Sequence, residues 1–141
     1  MTKEMLLPIP VSVARRKSIE HHMAYHMLVT GRGNLSIIGQ LFSAIYCANF
    51  VGDVTRGQSD PQLFRLAEAA LHECAVRGKA EGRFEGLPDG MIAIQRVLSL
   101  RDQQFLGVPA YIIADAQPRL ARFLASDDIS PFAPERRSPV R

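Results

Sequence analysis

Cysteine is scarce in this sequence: 141 residues carry two, Cys47 and Cys74, and they form no CxxC pair. That excludes a disulfide-dense scaffold and fits a reducing compartment, so the expected location is the cytoplasm. Phosphate-cradling patterns of the GxGxxG and GxxxxGK[ST] kind are absent, and the GRGN at 31–34 is too short to replace them. No GxSxG elbow supports a serine nucleophile. His72 and Cys74, two positions apart on one helix, point to nearly opposite sides and cannot pair there. With no constellation of this kind, no catalytic residue is assigned and the expected class is non-enzymatic.

A basic face is also missing. The net charge of +3 comes from residues 1–17, where Lys3, Arg15, Arg16 and Lys17 stand against Glu4. Residues 18–126 balance ten basic against ten acidic side chains, and residues 127–141 balance three against three. A nucleic-acid-binding domain normally spreads excess positive charge over its folded surface. The run Arg15-Arg16-Lys17 is the best candidate for an anion or nucleic-acid contact, because positive charge near a helix amino end opposes the helix dipole. Its plainer reading is a solvated helix start. A helix-turn-helix reader is excluded, since the segment that would be its recognition helix is apolar and uncharged. The amino-terminal apolar patch is short, is interrupted by Pro8 and Pro10 and precedes the basic cluster, which is the wrong order for a signal peptide.

What the sequence does contain is helical periodicity. Residues 12–30 run from Ser12, read as an N-cap, to Gly31, read as the C′ glycine. Ile19, Met23 and Met27 recur every four residues and are read as this helix's inward side. Residues 35–51, LSIIGQLFSAIYCANFV, hold no charge, and their apolar residues run all round. Such a helix is either the centre of a domain or a membrane span. Its 17 residues and its polar Ser36, Gln40, Ser43 and Asn49 favour the centre, so no membrane partner is expected. Gly39, Ser43 and Cys47, with Ala44 and Ala48 beside them, give it a narrow side suited to tight helix contact.

Asp60-Pro61 starts a third helix, expected to bury Leu63, Leu66, Ala67, Ala70, Leu71 and Cys74 and to end at Gly78. Residues 78–90 are glycine-rich and read as an ordered turn or a mobile connector. Asp89 can cap a fourth helix ending at Gly107, and a fifth starts at Pro109, with Pro118 predicting a kink or break near 114–117. The expectation is an all-α protein: a compact bundle of about five helices around a central charge-free helix. Residues 1–11 form a flexible arm, 12–126 the single helical domain, and 127–141 a disordered tail rich in proline and arginine.

Three of the four histidines fall within "HHMAYH" at 21–26. His22 and His26, four apart, lie about 40° apart round a helix and can share a metal, while His21 lies about 100° from His22. The zinc-protease pattern needs glutamate directly after the first histidine, and Met23 stands there. The favoured reading is therefore border packing or a pH-sensitive contact, with no metal and no cofactor. The leading functional expectation is a regulatory or adaptor protein working through protein–protein contact, with itself as a homodimer and with a further protein partner. A charge-free helix is hard for a few short segments to cover, so Phe42, Ile45, Tyr46 and Phe50 become interface candidates, with His22 and His26 beside them. The alternatives are a nucleic-acid-associated accessory protein using Arg15, Arg16 and Lys17, and a small metal- or ligand-binding enzyme around His22 and His26.

Overall fold

The computed structural model describes residues 2–55 and 60–126. Six helices follow one another: α1 (Lys3–Leu6), α2 (Val11–Val29), α3 (Leu35–Thr55), α4 (Pro61–Glu81), α5 (Pro88–Gly107) and α6 (Ala110–Ala125). The protein is all-α, with α3 at the centre and α2, α4, α5 and α6 packed around it. Leu41, Ile45 and Val51 of α3 meet Leu28, Phe64, Leu71, Ile94, Val97 and Leu98 from three neighbouring helices, and all nine side chains are sealed from solvent. α3 is long and apolar enough to cross a membrane, yet 61% of its most apolar 18-residue stretch is buried inside the chain's own fold.

Local chemistry sets most of the helix ends. Gly31 has φ +77, and around it Arg32 N–H donates to Met27 C=O while Gly31 N–H donates to Leu28 C=O. This pair of bonds is a Schellman end, and it needs a residue tolerant of left-handed backbone. Asn34 Oδ1 accepts from Ile37 N–H at 2.9 Å to open α3, and Asp60 Oδ1 accepts from Leu63 N–H at 3.2 Å to open α4. Three expected boundaries move. Ser12 lies inside α2, which begins one residue earlier behind Pro10. Gly78 is interior to α4, whose end is set by left-handed Gly82. Asp89 sits in the first turn of α5 without capping it, since Pro88 already starts that helix.

Pro118 does not break α6. Ala114 and Pro118 are both exposed, so the Ala114 carbonyl that loses its amide partner meets water rather than apolar protein. α4 buries Ala67, Leu71 and Cys74 as expected, but Leu66, also expected inside, is 52% exposed, and Phe64 is buried in addition.

The connector after α4 is ordered. Gly33 N–H donates to Phe84 C=O and Gly86 N–H to Leu28 C=O, pinning it to the α2–α3 turn, while Arg77 Nη2 donates to Glu85 C=O at 2.6 Å. The ring of Phe84 lies over Gly78, where an added Cβ would collide with it. Residues 2–10, expected as a flexible arm, carry α1 and dock beside α6: Ala110 N–H donates to Leu7 C=O at 2.8 Å, and Ile9 packs against the core. The expected tail, 127–141, lies outside the described residues.

Candidate functional site

Helix α2 carries most of the sequence-predicted site residues, and its orientation decides what they can do. Its inward face is built from Ala14, His21, Ala24 and Leu28, with Val13 and Tyr25 at the edges. Ile19 and Met23, read from the sequence as the inward stripe, lie on the opposite side and are 52% and 63% exposed. The helix therefore has an inside made of small residues and one imidazole, and an outside that is apolar.

On that outer face Ile19, His22, Met23, His26 and Met27 line a shallow depression of about 340 Å³. A second depression of about 360 Å³ continues it toward the helix start, between Val11, Arg15 and Ile19 of α2 and Asp102 and Leu106 of α5. Leu106 is 62% exposed, so the apolar surface crosses from one helix to the next. His22 Nε2 lies 2.9 Å from Asp102 Oδ2, tying α2 to α5 at the edge of this surface. His26 is exposed. Among the described residues no third histidine, cysteine or carboxylate gathers with another two in a metal-binding group.

The basic run does not form one patch. At about 100° per residue, Arg15, Arg16 and Lys17 fan over some 200° of the helix. Arg15 borders the outer depression, whereas Lys17 lines a cavity on the inner side.

The aromatic candidates of α3 fall mostly inside the protomer. Of the interface candidates, Ile45, Tyr46 and Phe50 are buried by the chain itself, in the protomer's own core. Tyr46 O–H donates to Glu68 at 2.7 Å and its ring meets Phe123 edge-on, while burial, followed by the Glu68 carboxylate, pushes its phenol pKa up. Phe50 lies under the Arg119 guanidinium, which also reaches the Phe50 carbonyl and Asp53 near the end of α3. Phe42 alone of the four stays half-exposed, stacked on Tyr46 and touched by His72, at a surface depression lined also by Gly39 and Phe123.

Sequence reasoning missed the inner side. Arg101 of α5 and His21 of α2 face a cavity of about 290 Å³ bounded also by α3 and α6. Burial pushes the His21 imidazole down to about 4, reinforced by the Arg101 and Lys17 charges and opposed by Asp102 and Glu20. The signal available was Arg101 itself, a charge three residues after Leu98 on the apolar side of its helix. Burial raises the pKa of the Cys47 thiol beside this cavity, against the pull of Arg101 and Lys17, and raises that of Cys74 too.

Comparison of the chain with protein families, curated proteins and solved structures finds no match.

Proposed function

We propose that this is a small, non-enzymatic, cytoplasmic helical protein of regulatory or adaptor type, acting through protein–protein contact and self-associating through the outer face of α2. The observation that carries this reading is the orientation of that helix: Ile19 and Met23 point directly away from the core, and Val11 and Leu106 extend the apolar surface. Contiguous apolar surface of this kind, edged by polar groups, marks contact sites on folded proteins. A helix face is self-complementary in a two-fold dimer: two antiparallel copies of α2 crossing near Met23 set each Ile19 against the partner's Met27. His22, His26 and Arg15 then form the polar rim.

Both cysteines are free and buried with thiols held protonated, which supports a binding role over nucleophilic chemistry and suits a reducing compartment. The nucleic-acid reading is the weaker one, because Lys17, though exposed, lies on the side of the inner cavity and the three basic side chains share no single surface.

The test is light-scattering mass across a concentration series for the wild type and for Ile19→Lys/Met23→Lys. These exposed sites leave the fold intact, so the wild type is expected as a dimer and the variant as a monomer with an unchanged circular dichroism spectrum. A wild type that stays monomeric at several hundred micromolar, or a variant that dimerises equally well, overturns the assignment.

A further inference from the structure

We infer that the cavity between α2, α3, α5 and α6 is a binding site for a small amphipathic carboxylate, with Arg101 as its anchor. The cavity measures about 290 Å³, just under the range of roughly 300–1,000 Å³ typical of ligand sites and suited to a small ligand. Arg101 lines it and is only 4% exposed. Its Nε and Nη1 are buried and, among the described residues, have no hydrogen-bond partner. The guanidinium rests 4.2 Å above the Phe105 ring, which fixes its position without satisfying its N–H groups.

A buried, permanently charged group with unmet donors is among the costliest features a fold can hold. Arginine cannot escape by losing its proton, so the deficit calls for an anion. The surrounding residues point the same way. Among the described residues no carboxylate lines the cavity, whereas Lys17 adds a second positive charge at its wall and His21 Nδ1 is a third buried polar atom without a hydrogen-bond partner. The nearby carboxylate, Asp102, gives Oδ2 to His22 and acts on Arg101 through its charge, without forming a salt bridge to it.

The remainder of the lining explains why an organic anion fits better than an inorganic one. Ile9, Val13, Ile113, Leu120 and Phe105 make one part apolar, suited to a short hydrocarbon or aromatic body. The space exists because α3 presents Ser43, Ala44 and Cys47 here, side chains too small to close it. The sequence suggested that this narrow side admits a neighbouring backbone. Gly39, at one end of that row, instead has nothing within 4 Å of where its Cβ would stand, and Ser43 and Cys47 face the cavity.

The experiment is titration of the full chain with sodium octanoate, followed by calorimetry and by thermal unfolding, with octanol, benzoate and inorganic phosphate as comparison ligands. Octanoate or benzoate is expected to bind saturably and raise Tm, octanol to bind at least tenfold more weakly, and phosphate not to compete. Arg101→Met is expected to lose the carboxylate response while retaining the fold and unfolding no earlier than wild type, because it removes an unpaired buried charge. Should that variant fail to fold, Ser43→Phe, which fills the cavity while keeping Arg101, is expected to abolish binding as well. Absence of any response from wild type to both carboxylates overturns the inference, as does an equal response from octanol or from either variant. Phosphate binding that displaces octanoate would make the site one for inorganic anions and also overturn it. Loss of dimerisation leaves this site intact, since no cavity residue belongs to the outer face of α2, and so the two readings fail independently.

Discussion

Acidification offers a direct measure of how strongly the fold resists a charge at His21. The imidazole falls from 6.5 to about 4 on folding, because burial and the Arg101 and Lys17 charges disfavour its protonated form. A ring that holds its proton less tightly when folded contributes full stability above about pH 6.5. That contribution declines as the pH falls toward 4 and is lost below it. At 1.36 kcal/mol per tenfold change, the whole effect approaches about 3 kcal/mol. His21 is half-buried, and solvent screening reduces this to about 1–2 kcal/mol between pH 7 and pH 4.5. Carboxylates contribute to acid unfolding as well, so the useful quantity is a difference between proteins. Urea unfolding of wild type and His21→Leu at the two pH values isolates it: the variant is expected to lose about 1–2 kcal/mol less on acidification than wild type. Equal losses in the two proteins would refute the claim that the α2–α5 interior excludes a charge at this position.

Further expectations follow from single contacts. Tyr46→Phe removes the hydroxyl donor from the buried Glu68 carboxylate and is expected to cost about 1.5–3 kcal/mol by urea unfolding, the range for hydrogen bonds to charged groups. Gly78→Ala places a methyl group against the Phe84 ring and is expected to cost about 1–3 kcal/mol, with faster amide exchange across 82–87 as the connector lifts. Pro118→Ala restores an amide donor on an exposed helix position and is expected to raise stability by up to about 3 kcal/mol, read as a higher Tm.

The five long helices were legible in the sequence because periodicity and end chemistry are local, whereas α1, a single turn at Lys3–Leu6, was not. Gly31, Asn34 and Asp60 each act within a few residues of themselves, and each does in the structure what its type suggests. The misplaced ends share a cause. Ser12 and Asp89 are good cap residues that lose to prolines nearby, since Pro10 and Pro88 fix the entry of the chain first. Gly78 was read as a stop for want of knowledge that Phe84 returns to cover it, a contact made six residues later and visible only in three dimensions. The docking of residues 2–10 on α6 was equally out of reach, because it joins segments a hundred residues apart.

The orientation of α2 was not legible at all, and the reason bears on function. A period of 3.6 shows which residues share a face but not which face turns inward. Ranked by apolarity, Ile19, Met23 and Met27 outweigh Ala14, His21 and Ala24, yet the latter set is the one that packs. Small residues allow α2 to approach α3 and α5 closely, and His21 finds the Phe105 ring to stack on at 6.4 Å. The helix thus carries two arrangements that an isolated chain does not favour: large apolar side chains in water on one side, and an imidazole beside an unpaired arginine on the other. Each costs free energy in the protomer taken alone, and each cost is of a kind that a contact from outside would relieve. A second apolar surface would relieve the first, as proposed above, and an anion the second. The two deficits lie on opposite faces of one helix only two residues apart, at His21 and Met23. Occupation of the cavity and association of the outer face therefore meet in α2, the element through which either would influence the other.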